Sequence, residues 1–145
     1  VRLGLVGCAA LLAFTAACSR SFVKGGRVQD TLTQEADKGK YIEAIGIGAA
    51  DPTLPTETQR RALSRDAAIV KAQYEMLSMV KGVEIEGGIT VSRAMEKDST
   101  LEARLKETIR GAEIAKTEYT KDDGAVVTLK LLKKRLEQMM GVKFK

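Results

Sequence analysis

Histidine is wholly absent from this sequence, and the residues best suited to chemistry are two cysteines and one pair of adjacent carboxylates. The absence removes the commonest general base, the commonest metal ligand and the side chain that titrates near neutrality. Asp122 and Asp123 precede Gly124 in "KDDGA", where short acids that bond their own backbone and a following glycine mark a turn. They are assigned no catalytic role. "GIG" at Gly46 to Gly48 has the look of a phosphate loop, but no third glycine follows at the required spacing and no lysine with serine or threonine completes a Walker motif. Pro52 and Pro55 also intervene before the next helix, so these glycines read as close backbone packing beside a helix. No catalytic, cofactor-binding or metal site is expected, which leaves the cysteines.

Both cysteines lie in "GLVGCAALLAFTAACSR". The apolar run from Leu3 to Ala17 is shorter than the roughly 20 residues a membrane-spanning helix needs and carries Gly4 and Gly7. It has instead the three parts of a secretory signal: Arg2 as the basic start, Leu3 to Phe14 as the apolar core, and Thr15, Ala16 and Ala17 as small residues before a cut. Val1 reads as a non-AUG start or a truncation. "TAAC" resembles the bacterial lipobox, in which cleavage just before the cysteine precedes acylation of its sulfur and its new amine. Cys18 is then residue one of the mature protein and the lipid attachment site, and Cys8, with no room for an apolar core before it, is discarded. The competing reading is an ordinary thiol in an N-terminal helix. Cysteine arithmetic favours the lipid, because a single mature cysteine can build neither a disulfide framework nor a metal cluster. Two or more acyl chains, at about 0.8 kcal/mol per buried methylene, anchor a protein stably. Ser19, not being aspartate, implies by the same resemblance sorting to the outer membrane of a Gram-negative cell.

Removing residues 1–17 from the 145 leaves 128, enough for one domain and a tether. The chain has 24 basic and 19 acidic residues. Arg2 is the one charge in the signal, so the mature chain carries 23 against 19, a net +4. Basic and acidic residues interleave, tryptophan is absent and aromatics make up 4%, so no nucleic-acid partner is expected.

The elements that must position any site follow from periodicity. Residues 18–40 show neither helical nor strand period and read as a lipidated flexible tether that lets the folded part stand off the membrane. Residues 41–145 read as the domain. Tyr41 to Gly48 is a strand. "TETQRRALSRDAAIVKAQYEMLSMVKG" is a long amphipathic helix, opened by a capping box of Thr56 and Gln59 and closed by Gly82 in a left-handed conformation. Leu63, Ala67, Val70, Tyr74 and Leu77 recur at alternating four and three spacing and predict its core face. Ala62, Ala67, Ala68 and Ala72 permit close approach to a sheet or another subunit, with Ala68 and Ala72 off the core stripe. Asp66 and Gln73 read as boundary residues. "VEIEGGITVSRA" alternates through Val83, Ile85, Ile89 and Val91 about a bend at Gly87 and Gly88. A second helix starts on Ser99, with Glu102 three residues later, carries Leu101, Leu105 and Ile109, and ends at Gly111. A hairpin turns at Asp123 and Gly124, with Val127, Leu129 and Leu131 on one face of a return strand that leaves an edge open. "KKRLEQMMG" closes the fold as a helix bearing Leu132, Leu136, Met139 and Met140. The expected fold is α+β: one small domain whose antiparallel or mixed sheet of about four strands packs on a long helix, with one or two shorter helices.

The order of these elements, with "GIGAA", "RGAEI" and "Y…DDG…VTL", resembles the LPP-twenty family of bacterial lipoproteins across about Tyr41 to Leu131. That resemblance implies an outer-membrane lipoprotein on the periplasmic face, with Cys18 as anchor, no catalytic residues, and a structural or assembly role in the cell envelope. The family includes FlgP-like flagellar lipoproteins that assemble into disks, so a homo-oligomer or an envelope protein partner is the implied company. The alternative is a membrane-tethered periplasmic binding module that holds a small ligand or peptidoglycan on its sheet or its "GIGAADP" loop.

Overall fold

A computed structural model describes residues 21–28 and 39–145. The order of elements is β1 (Val23–Lys24), β2 (Arg27–Val28), β3 (Tyr41–Gly48), α1 (Glu57–Lys81), β4 (Glu84–Ile85), β5 (Ile89–Thr90), α2 (Val91–Lys97), α3 (Ser99–Arg110), β6 (Glu113–Tyr119), β7 (Ala125–Leu132) and α4 (Lys133–Met140). The fold is α+β, with the long helix α1 lying on a main sheet of three antiparallel strands in the order β3-β7-β6. β1–β2 and β4–β5 are separate two-stranded ladders.

Strand period decides which face of the sheet the helix covers. Ile42, Ala44, Gly46 and Gly48 of β3 share a face with their register partners Leu131, Leu129, Val127 and Ala125 of β7, and all eight are buried. Along β3 these side chains shrink from isoleucine to glycine. The inward residues of α1 are Ser64, Ala68, Ala72, Met76 and Val80, which grow in the opposite sense. The small ends meet: a methyl group placed on Gly46 would overlap the Ala68 carbonyl and the Ala72 amide, and one on Gly48 would overlap the Ser64 carbonyl. Helix backbone thus rests on strand backbone. At the wide end Val91, Leu101, Leu105, Ile109, Leu136 and Met140 complete the core.

This packing rotates α1 away from the face that its bulkiest apolar residues predict. Leu63, Val70 and Tyr74 are 47%, 65% and 65% exposed, Ala67 is exposed and Leu77 half-buried, whereas Ala68 and Ala72 are fully buried. Large side chains cannot enter where the sheet offers only glycine, so the alanine face goes in. Other local expectations shift for identifiable reasons. The capping box of Thr56 and Gln59 forms as read, but Gly82 closes α1 in a right-handed conformation, φ −83°. Asp98, not Ser99, caps α3, its carboxylate accepting the Thr100 N–H at 2.9 Å. Val91 ends the predicted alternation by opening α2, capped by the Thr90 hydroxyl. β7 is the central strand, so the edges are β3 and β6. Leu132 and Met139 of the last helical stretch are exposed, while Leu136 and Met140 are buried.

Within the stretch read as a leash, residues 21–28 form a hairpin. Gly25 and Gly26, at φ 60° and 77°, supply the two left-handed positions of its tight turn and set Lys24 opposite Arg27.

The backbone contact makes a prediction. Gly46→Ala is expected to destabilise the domain by about 3 kcal/mol or more, at the upper end of overpacking, because the obstacle is helix backbone and not a side chain that can turn aside. Gly82→Ala, whose new methyl meets its nearest neighbour at 3.5 Å with φ at −83°, is expected to change stability by less than about 1 kcal/mol. Urea unfolding of both variants measures the difference.

Candidate functional site

Cys18, the predicted lipid attachment site, lies outside the described residues. The chain is described from Ser21, three residues further on, where it is held tightly. The Ser21 hydroxyl hydrogen-bonds the Glu118 carboxylate, the Phe22 N–H donates to Glu118 Oε2 at 2.9 Å, and the Lys121 N–H donates to the Gly26 carbonyl at 2.9 Å. Burial works to raise the Glu118 carboxyl. The hydrogen bonds from Ser21 and Phe22 and the nearby Lys116 outweigh it and hold the group below its ordinary value. The hairpin is therefore fastened to the end of β6 and to the turn that follows.

That turn is the polar centre of the same end of the domain. Asp123 is 8% exposed and takes φ 63°, a left-handed conformation that aspartate tolerates better than most residues. Its carboxylate receives Arg60 Nε at 2.8 Å and Arg61 Nε at 3.0 Å, and its carbonyl accepts the buried Ser64 hydroxyl at 2.6 Å. Arg60 also donates to the Leu54 carbonyl, and Arg61 lies 5.1 Å from the centre of the Tyr119 ring. The first two turns of α1 are thus clasped to the β6–β7 turn. Asp122 is occupied by Thr120. Both acids are fixed in a turn, as read, but Asp123 also anchors a helix 59 to 63 residues away, a non-local role without a local pattern to announce it.

The "GIGAADP" loop satisfies itself. Asp51 accepts the Thr53 N–H at 2.9 Å and its hydroxyl at 2.7 Å, which lowers its carboxyl, and "GIG" serves the helix–strand contact. Beside it an open groove of about 460 Å³ is bounded by Arg27, Ile47, Ala49, Lys121 and Asp122. No group of three or more metal-capable side chains occurs among the described residues.

The other feature with functional capacity is the outward face of α1. Leu63, Ala67, Val70, Tyr74 and Leu77 follow the four-three alternation of a heptad seam. Val70, Tyr74 and Leu77 join Ile109 of α3 in a shallow groove of about 200 Å³ rimmed by Lys106 and Arg110. Lys71 lies 5.2 Å from the centre of the Tyr74 ring and pairs with Glu75 at 2.8 Å. Such a face offers contact area and no reactive group.

The clasp makes a pH prediction. The Arg60 hydrogen bond, with that of Arg61 and both charges, holds the Asp123 carboxyl below its ordinary value despite the opposing effect of burial. Its contribution to stability is therefore full above about pH 4 and is lost as pH falls through the lower folded value. Asp123→Asn should reduce the thermal midpoint at pH 7, with the gap from wild type narrowing as pH falls below about 4. A gap that stays constant across that range would show that the carboxylate charge contributes nothing. Comparison with protein-family models, curated proteins and solved structures finds no match to this chain.

Proposed function

We propose that this protein is an outer-membrane lipoprotein, anchored through Cys18 on the periplasmic face, whose domain has a structural or assembly role in the envelope through association with copies of itself. The observation that carries the reading is the seam of Leu63, Ala67, Val70, Tyr74 and Leu77, a coiled-coil spacing on a helix face that the domain's own sheet does not cover. Two heptads are short for a free coiled coil. Tethering supplies the remainder, since it confines copies to a surface and turns a weak contact into a local one. The anchor rests on the signal anatomy of Arg2 to Ala17 and on Cys18 being the lone mature cysteine. The LPP-twenty resemblance extends the reading to disks around a flagellar motor, and the groove beside Ile47 supports the alternative of a tethered binding module.

Two measurements test the parts separately. Wild type should incorporate labelled fatty acid and fractionate with membranes, and Cys18→Ala should lose both; retention in the membrane without label overturns the anchor. Cross-linking in intact cells should trap oligomers of wild type, and Val70→Glu with Tyr74→Glu should abolish them. Unchanged cross-linking in that variant removes the seam, and a strict monomer that binds peptidoglycan favours the binding module.

A further inference from the structure

The hairpin tip gathers like charges. Lys24 and Arg27 stand directly opposite each other in the β1–β2 ladder, a placement that costs stability when both carry the same sign. The stem of Lys121 lies over Gly26 between them, close enough that a methyl group there would collide with its Cγ, Cδ and Cε. All three side chains are on exposed residues, and none forms an ion pair among the described residues. Glu118 is engaged by Ser21, Phe22 and Lys116, and Asp122 accepts from the Thr120 hydroxyl but keeps its charge and borders the same groove as Arg27 and Lys121. Three cations thus stand together against one exposed carboxylate, Asp122, and form no ion pair among the described residues, on a turn fastened to the sheet.

Chain length says what covers them. Two residues lie between Cys18 and Ser21, and a fully extended chain spans at most about 10 Å over those three steps. Because Ser21 and Phe22 are fastened to Glu118, an acylated Cys18 cannot let the domain drift far from the lipid. We infer that Lys24, Arg27 and Lys121 form a docking surface for anionic lipid headgroups, which holds the domain flush on the membrane in one orientation. The placement rests on the lipoprotein reading, and the chemistry of the surface does not. Each cation brought within a Debye length of an anionic surface contributes about fivefold in binding, so the three together contribute about a hundredfold.

The test uses the mature chain from residue 18 with Cys18→Ser, which carries every described contact and cannot be acylated. Cosedimentation is measured at low salt with vesicles of phosphatidylcholine and phosphatidylglycerol in equal parts, and with phosphatidylcholine alone. Binding is expected to the anionic vesicles only, weakening as salt rises. Lys24→Gln with Arg27→Gln and Lys121→Gln should lose about a hundredfold, with an unchanged circular dichroism spectrum. Lys97→Gln with Arg104→Gln and Lys143→Gln, which removes the same charge elsewhere, should bind as the parent does. Equal binding by the first triple variant, or an equal loss in the second, overturns the proposal. So does displacement by inorganic phosphate beyond that of chloride at matched ionic strength, which would mark a site for a free anion. Failure of wild type to take up fatty acid would sink the anchor and leave these results as they stand.

Discussion

The approach of the α1 backbone to the glycine end of β3 is the contact on which the other features depend. Gly46 and Gly48 each carry the entropic cost of glycine in a strand, about 0.5 to 1 kcal/mol relative to alanine. In return Ala68, Ala72 and Ser64 come into direct contact with the sheet, at a separation that larger residues would prevent. That closeness places the Ser64 hydroxyl 2.6 Å from the Asp123 carbonyl and brings Arg60 and Arg61 to the Asp123 carboxylate. The same rotation of the helix turns Leu63, Val70 and Tyr74 outward. Core, clasp and outer seam are three consequences of one steric choice.

The elements with sustained periodicity were legible in the sequence. β3, α1 with its capping box, and the β6–β7 hairpin follow from period, caps and turn residues, because each signal is contained within its own segment. The inward face of α1 was not, because two stripes compete on that helix. Leu63, Val70, Tyr74 and Leu77 present more apolar bulk, whereas Ser64, Ala68, Ala72, Met76 and Val80 repeat just as regularly at a spacing of four. Hydrophobicity favours the first stripe, and the glycines of a partner strand select the second. Seen together with "GIG", the run of small residues at Ser64, Ala68 and Ala72 was the available clue.

Shorter features failed for other reasons. "VKGGRV" carries a hairpin signal in two adjacent glycines flanked by valines, but arms of two residues are too brief to show a period. α2 is hidden because Val91 continues an apolar alternation at the point where the Thr90 hydroxyl starts a helix. Asp98 and Ser99 are both good cap residues, and only the geometry of the Thr100 N–H separates them. The cation cluster needed Lys121 beside Gly26, about a hundred residues away in sequence.

The proposed surfaces have a mutual orientation that limits how copies can assemble. The clasp puts the start of α1 beside the turn to which the hairpin is fastened, so α1 begins at the end of the domain where the chain from Cys18 enters. From Leu63 to Leu77 the helix advances about 21 Å, at 1.5 Å per residue, away from that end. Copies anchored in one leaflet by the hairpin tip would therefore each begin their seams near the same surface, which suits a parallel heptad pairing. Paired about a two-fold axis, such a seam is isologous and closes at two copies. A ring or disk needs a second, heterologous contact that joins such pairs, and the α1 face alone cannot supply it.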